Sequence, residues 1–201
     1  MAEAGLSKGA RARRSILDAA YNLFIRQGYA ATSMRQIADG AGMVPGSLYN
    51  HFSSKEEIFR AILMEQHPFA SILPILGRVK GTSVEEFCRN AAHTLVEELG
   101  HHPDFLNLML TEIVEFRGEH IPMIFEKFMP QLMPLVGRFQ SLQGELRDMP
   151  PLVLVRAFLG MFFAYYITGI LMQRVPPGQQ ENALDHFVDL FLYGALVKES
   201  A

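Results

Sequence analysis

The stretch Thr32–Lys55, TSMRQIADGAGMVPGSLYNHFSSK, contains the clearest structural signals in the chain. Ser33 and Gln36 have the spacing of a capping box, in which each side chain accepts a hydrogen bond from the backbone N–H of the other residue. A helix is therefore predicted to begin near Met34. Its apolar residues recur at helical spacing and form one stripe, made of Met34, Ile37 and Ala38.

Glycines and a proline predict a sharp turn and then a second short helix. Gly40 and Gly42 permit the positive φ values that end a helix and redirect the chain. Pro45 suits the first turn of a helix, so the second helix should run over about residues 44–50. Two short helices joined in this way form a helix-turn-helix, whose second helix can enter the major groove of DNA.

The flanking sequence predicts helices on both sides of this motif. A first helix should run from about Ala10 to Gln27 and end at Gly28. Ser54 and Glu57 form a second capping box, which predicts that a fourth helix begins there.

The charge is unevenly distributed along the chain. The net charge is −3 overall, yet residues 1–55 contain seven basic and three acidic residues, a net charge of +4. A cationic end on an acidic body suits phosphate binding by that end alone. The alternative is a solvated amphipathic helix with a basic tail.

Residues from about 10 to 57 resemble the DNA-binding domain of the tetracycline-repressor (TetR) family. The family motif approximates T-[ST]-x-R-x-I-A-x-x-A-G-V-[ST]-x-G-[ST]-L-Y-x-H-F-x-[ST]-K-E-E-[IL]. This chain matches it at Thr32, Ser33, Arg35, Ile37, Ala38, Ala41, Gly42, Gly46, Ser47, Leu48, Tyr49, His51, Phe52, Ser54, Lys55, Glu56, Glu57 and Ile58. It departs at Met43, Val44 and Pro45, where the loss of a hydroxyl removes one expected cap and phosphate donor. The resemblance covers about a quarter of the chain.

The resemblance implies a set of DNA-contacting residues. Tyr49, His51 and Lys55 would contact the DNA backbone, and the remaining candidates would lie against base edges or the adjoining sugar-phosphate. Arg35 could read guanine or hold a phosphate, and Tyr49 or His51 could instead pack in the small core. The full predicted set is Thr32, Ser33, Arg35, Val44, Pro45, Gly46, Ser47, Tyr49, His51 and Lys55.

Length and composition favour an intracellular protein of one or two domains. The 201 residues are 49% hydrophobic, enough for a sizeable core. Cys88 is the sole cysteine, which excludes an internal disulfide. No secretory signal is recognisable at the N-terminus, so a cytoplasmic location is expected.

An uncharged run, Ala157–Met172, raises the alternative of membrane insertion. At sixteen residues it is shorter than the roughly 20 that span a bilayer, and Arg156 and Arg174 flank it closely. A buried helix in a dimer core explains the same residues.

The chain shows no strand alternation, so the predicted fold class is all-α. A helix-turn-helix domain is expected over residues 1–58, and a larger helical ligand-binding and dimerisation domain over 59–201. The fourth helix should cover 54–66 and continue to about 79, bent near Pro68 and Pro74. Further helices are expected over 84–99, 104–117, 121–143, 151–173 and 180–198.

The last two helices have apolar stripes too wide for one partner, which predicts a four-helix bundle across a two-fold axis. The family resemblance implies the same homodimer, and a two-fold protein implies a palindromic operator. The alternative is burial within one subunit. The predicted interface residues are Leu152, Val155, Leu159, Phe163, Ile170, Leu184, Phe187, Val188, Phe191 and Ala195.

The middle helices are rich in Met and Phe, a lining that suits a bulky apolar or amphipathic effector. The same residues could be plain core. The resemblance implies that effector binding would release a repressor from its operator. The candidate ligand residues are His93, Phe105, Met109, Glu112, Phe116, Phe125, Phe128, Met129, Phe162, Tyr165 and Tyr166.

An enzyme is the main competing class. Glu98 and His101 form one Glu-x-x-His unit of the di-iron carboxylate type, but no second unit follows, and Gly100 with Pro103 is expected to end the helix there. No phosphate loop or nucleophile elbow is present. The sequence therefore predicts no catalytic residues, no metal and no cofactor. A helical interaction module whose head no longer reads DNA is a third possibility, which the intact Thr32–Lys55 motif disfavours.

Overall fold

A computed structural model describes residues 7–102, 104–141, 147–172 and 182–195, and within these ranges all regular secondary structure is helical. The predicted all-α fold is confirmed. The ten helices are α1 Lys8–Gln27, α2 Met34–Gly40, α3 Pro45–Tyr49, α4 Lys55–Glu65, α5 Phe69–Leu76, α6 Val84–Gly100, α7 Phe105–Phe116, α8 Ile121–Ser141, α9 Pro151–Leu171 and α10 Ala183–Ala195.

Helices α2 and α4 begin next to the capping residues that the sequence predicts. At α2 both bonds of the capping box form: the Gln36 N–H donates to Ser33 Oγ at 3.3 Å, and the Ser33 N–H donates to Gln36 Oε1 at 2.8 Å. The Ser54 hydroxyl caps α4 by accepting from the Glu57 N–H at 3.1 Å. These bonds satisfy N–H groups that have no partner inside the helix.

Glycines provide the turns on either side of α2. Gly28 ends α1 with φ 86°, and Gly42 lies between α2 and α3 with φ 69°. Both values fall in the left-handed region that side chains other than glycine rarely adopt. The turn in the helix-turn-helix therefore depends on Gly42.

The helix expected over 54–79 is interrupted in the structure. α4 ends at Glu65, and α5 begins at Phe69, directly after Pro68. A proline disfavours helical geometry at the residue before it, which here is His67. Pro74, in contrast, lies inside α5, so the break occurs at the first of the two prolines.

The chain divides into two compact units. The first comprises Met1–Ala70 and His102–Phe128, and the second comprises Ser71–His101 and Met129–Ala201. These units do not coincide with the predicted boundary between residues 58 and 59, because α4 and α7 pack against α1. That boundary stays a prediction about which residues form each functional domain.

The first unit has a core built from α1 to α4. Ile16, Ile37, Leu48, Ile58 and Phe59 have no exposed surface. An aromatic cluster extends this core toward α7, with the Phe59 and Phe116 rings stacked at 4.8 Å between centroids. The helix-turn-helix is therefore held on a rigid base.

The second unit packs α6, α9 and α10 together. Phe158 and Val188 are fully buried, and an ion pair and a hydrogen bond link α6 to α10. Arg89 Nη2 lies 2.5 Å from Asp189 Oδ1, and His93 Nε2 lies 2.9 Å from Asp185 Oδ1.

Candidate nucleic-acid interface

One face of helix α3 is buried in the head, and the opposite face is exposed. Its Leu48 side chain is fully buried, and its N-cap residue, Val44, makes no side-chain capping bond. The helix has only five residues, so the burial of Leu48 and packing against α2 hold it in place. The opposite face is available to a partner.

Nine of the ten predicted DNA-contacting residues have accessible side chains or backbone in the first unit. Ser47, His51 and Lys55 are half-buried, and the other six are exposed: Ser33, Arg35, Val44, Pro45, Gly46 and Tyr49. The side chain of Tyr49 is 55% exposed, and that of Val44 is 68% exposed. Tyr49 therefore does not pack in the small core, the alternative that the sequence left open.

Thr32 differs from the expectation, because its side chain is buried. Its hydroxyl donates to the Gly28 carbonyl at 2.8 Å and accepts from Gln27 Nε2 at 3.3 Å. The residue is 3% exposed. Thr32 thus holds the turn between α1 and α2, and its hydroxyl is not presented to DNA.

Lys55 is already engaged within the head. Its Nζ donates to the carbonyls of Tyr29 at 2.6 Å and Thr32 at 2.8 Å, and it lies 4.1 Å from the centre of the Tyr29 ring. Desolvation lowers the pKa of this ammonium, an effect that Glu115 opposes. Since an ammonium has three N–H donors, one remains for a phosphate.

The basic residues of α1 entered the sequence-based prediction only through the net charge of residues 1–55. Lys8 and Arg11 are exposed in its first turns. Arg13 instead pairs with Glu65 Oε1 at 2.5 Å and lies over the Phe52 ring. The basic end of the chain therefore provides both exposed charge and internal support.

The predicted ligand residues divide between the two units. In the first, Phe128 is buried, Phe105, Met109 and Phe116 are half-buried, and Phe125 is exposed; in the second, Phe162 is buried, Met129, Tyr165 and Tyr166 are half-buried, and His93 is exposed. Two cavities within the described parts of the chain are lined by other residues. One is an open groove of about 360 Å³ beside Tyr29, Leu110 and Val114.

Glu112 is paired rather than open to a ligand. It is fully buried and accepts from the His120 backbone N–H at 2.7 Å and from its ring Nδ1–H at 2.8 Å. His93 is similarly paired with Asp185, and the Tyr166 hydroxyl donates to the Val96 carbonyl at 3.1 Å. These three polar groups, expected to contact an effector, have partners within the chain.

The predicted dimer residues fall on more than one face. Val155, Leu184 and Val188 are buried within the second unit, which corrects their assignment to an intersubunit surface. Leu159, Phe187 and Phe191 are half-buried, whereas Leu152 and Phe163 are exposed. The side chains of Ile170 and Ala195 lie outside the described residues.

An exposed apolar surface nevertheless runs along these two helices. It includes residues that sequence reasoning missed, namely Val153 on α9 and Leu190 and Tyr193 on α10. Their recurrence at helical spacing is the signal that could have found them. We call Val153, Phe163, Leu190 and Tyr193 the α9–α10 face.

Helix α9 is long and apolar enough to cross a membrane. The segment Pro151–Gly169 has a mean hydropathy of 1.6, and 22% of it is buried within the chain. Core helices of soluble proteins meet the same criterion.

Metal-binding geometry is not seen in the described parts of the chain, which contain no group of three potential metal ligands. Glu98 Oε2 lies 3.9 Å from His101 Nδ1, and α6 ends at Gly100 as expected.

Residues 16–62 match the family model described as bacterial regulatory proteins, tetR family. Over 184 residues the chain is 27% identical to an uncharacterized helix-turn-helix transcriptional regulator, YvkB, of Bacillus subtilis, covering 90% of this chain and 95% of that protein. It is 51% identical over 51 residues to the transcriptional repressor KstR2 of Rhodococcus jostii, covering 25% of each chain. The second likeness is thus confined to about a quarter of the repressor's length.

Solved structures share the fold. The chain superposes on NalD, described as the secondary repressor of the MexAB-OprM multidrug efflux pump in Pseudomonas aeruginosa, with a TM-score of 0.67 and 20% identity, covering 95% of this chain and 100% of that one. Three observations point to the same family: the family match of the head, the helical fold and the similarity to transcriptional regulators. The DNA-binding head therefore belongs to the TetR family of bacterial regulatory proteins, and the chain as a whole is similar to transcription regulators of that family, which bind DNA and are not enzymes.

Proposed function

We propose that this protein is a homodimeric transcriptional repressor that binds a palindromic operator and is released from it by an apolar or amphipathic effector. The observation that carries the proposal is the exposed face of α3, held on the buried Leu48 and preceded by the exposed Arg35 of α2. Such a face can lie in the major groove while the basic end of the chain contacts phosphates.

The proposed DNA contacts fall into two groups. Tyr49, His51 and Lys55 would contact the DNA backbone, and Arg35 with the start of α3 would face base edges. Arginine is the residue best suited to bidentate recognition of guanine. We leave Thr32 out of this set because its hydroxyl is bonded to Gly28.

The α9–α10 face supports the proposed dimer. Leu190 and Tyr193 are 75% and 77% exposed in the single chain. Ala157, Gly160 and Ala164 are also exposed on α9, and such small residues let another helix approach closely. Pairing of this face with its two-fold copy would bury the apolar surface of α9 without a membrane, which supports the proposal of a cytoplasmic location.

The effector proposal rests on the helical body, proposed to comprise residues 59–201, and on family membership. A ligand that binds one arrangement of the body more tightly would shift the population toward it. Heads that no longer match successive major grooves, about 34–36 Å apart, would leave the operator.

Mobility shift at two salt concentrations tests the DNA-binding part. The purified protein is titrated onto fragments of its own upstream region with competitor DNA present. A discrete, competitor-resistant complex is expected. Arg35→Ala should weaken it, whereas Arg60→Ala, an exposed arginine on α4, serves as the matched control and should not. Binding that competitor and salt abolish would contradict the proposal.

A further inference from the structure

A cavity in the second unit is lined by several apolar residues and one cation. Its volume is about 230 Å³, and it lies beside the ends of α5 and α8 and the start of α6. Leu76, Val79, Phe87 and Leu135 line it together with Arg138 and Ser141. An engineered apolar cavity of about 150 Å³ holds benzene, so there is room for a small aromatic or short aliphatic molecule.

Arg138 brings a positive charge to this cavity. No carboxylate among the described residues forms an ion pair with it, and its Nε is buried without a hydrogen-bond partner. A buried polar group without a partner is unfavourable. The guanidinium therefore has unused capacity for an anion.

Neighbouring groups hold the guanidinium in position. Arg138 Nη2 donates to the Gly81 carbonyl, and its Cζ lies 5.7 Å from the centre of the Phe87 ring. Gly81 is pressed so closely against Phe87 that a Cβ at this position would come within 2.5 Å of its backbone. The carbonyl that orients Arg138 is consequently fixed by tight packing.

The charge and size of the cavity restrict the ligand class. Ser141 cannot serve as a second donor while its hydroxyl donates to the Arg138 carbonyl at 2.8 Å. With one cation among its lining residues, the cavity can neutralise a single negative charge, which favours a carboxylate over a phosphate dianion. The apolar side chains of the lining would contact the rest of the molecule.

We propose that this cavity binds a small carboxylic acid with an apolar body, whose carboxylate pairs with Arg138. The inference deepens the proposed function by naming an effector class, and it rests on that function for its regulatory meaning. Binding itself is independent of DNA. Sequence reasoning missed the site because Arg138 is a lone cation near the end of a long, largely apolar helix.

Calorimetric titration with four probes tests the inference. Benzoate and hexanoate are compared with benzamide and hexanamide, which have similar shapes and no charge. The carboxylates should bind the full-length protein at least about tenfold more tightly than the amides, since a charged hydrogen-bonded pair contributes more than about 1.4 kcal/mol. Absence of carboxylate binding, or equal binding of acids and amides, would overturn the proposal.

Substitutions at the cavity test whether the carboxylate binds there. Arg138→Gln should weaken benzoate binding about tenfold or more, whereas Arg78→Gln, an exposed arginine of the same unit, should change it less than about twofold. Val79→Phe keeps the charge and fills the cavity, so it should also remove binding if Arg138→Gln fails to fold. Unchanged affinity in the folded Arg138 or Val79 variant would overturn the assignment.

A parallel mobility shift separates this inference from the proposed function. If the protein binds operator DNA but no carboxylate, the inference is wrong and the proposed DNA binding stands. If benzoate binds through Arg138 and DNA binding is lacking or unresponsive, the site is confirmed and the proposed regulation fails.

Discussion

Lys55 links DNA binding to the stability of the head. Its ammonium donates to two backbone carbonyls, those of Tyr29 and Thr32. Lys55→Met should therefore lower the free energy of unfolding by about 1–3 kcal/mol, because two charge-assisted bonds are lost and the carbonyls lose their partner. Urea unfolding followed by circular dichroism measures this loss.

Tyr49→Ala is the comparison for that variant. Tyr49 is exposed, so its removal should leave stability nearly unchanged while weakening binding to all DNA sequences. The salt dependence of binding should not change, because the neutral phenol releases no counterion. Wild-type stability of Lys55→Met would show that the two carbonyl contacts contribute little.

His67 should make the stability of the first unit depend on pH. It is 5% exposed, and burial, with a smaller effect from Lys127, lowers its pKa from 6.5 to about 4. Between these values the unfolded chain binds more protons than the folded one. Stability is therefore expected to fall as the pH drops from about 6.5 to 4, by about 3 kcal/mol in total.

His67→Asn tests this directly. The Phe69 N–H donates to His67 Nδ1 at 3.2 Å, and the asparagine side-chain oxygen can accept the same bond without titrating. Melting temperatures measured from pH 7 to 4 should decline less steeply in the variant. Parallel curves for the two proteins would rule out His67 as the cause.

At the level of helices, local signals predicted where elements begin and end, and tertiary contacts decided the rest. The serine caps at α2 and α4 and the turn at Gly42 act within a few residues, so the sequence contains the whole cause. Pro68 and Pro74 give the same local signal, so the sequence alone does not show that the break occurs at Pro68. The burial of Thr32 likewise depended on the Gly28 carbonyl, whose position the sequence does not show.

Helix faces were harder to predict than helix bounds. α9 is apolar nearly all round, so no polar side distinguishes its intrasubunit face from an intersubunit one. Val155 was consequently assigned to the dimer surface and is buried in the chain, while Val153 was missed. In the head, polar and apolar residues alternate clearly, and most predicted contact residues are accessible there.

Helix α2 has seven residues and should depend strongly on its cap. Ser33→Ala removes both the acceptor for the Gln36 N–H and the partner of its side chain, so the free energy of unfolding should fall by about 1 kcal/mol. Ser33→Asp preserves a capping oxygen and should retain most of that stability. Chemical denaturation of the three proteins makes the comparison, and equal losses in both variants would show that the cap is not the cause.

At the scale of the whole molecule, the segment Pro151–Gly169 of α9 is strongly apolar, yet only 22% of it is buried within the chain. A subunit interface at the α9–α10 face would account for both properties. A solvent-exposed surface of this kind is uncommon in a monomer, whereas a two-fold pairing of α9 and α10 would cover it. Leu190→Glu would bury a charge from each subunit in such an interface without a compensating partner. The dimer should therefore dissociate, or its dissociation constant should rise by at least about tenfold.

Val114→Glu is the matched control for this change. Val114 is 74% exposed, nearly the same as Leu190, but lies on α7 in the first unit. Light scattering after size-exclusion chromatography should give a dimer for the wild type and Val114→Glu, and a monomer for Leu190→Glu. The monomer should also bind the operator far more weakly, because one head fills a single half-site. A dimeric Leu190→Glu protein would place the subunit interface elsewhere, and recovery of the wild type only in detergent would instead favour a membrane location for α9.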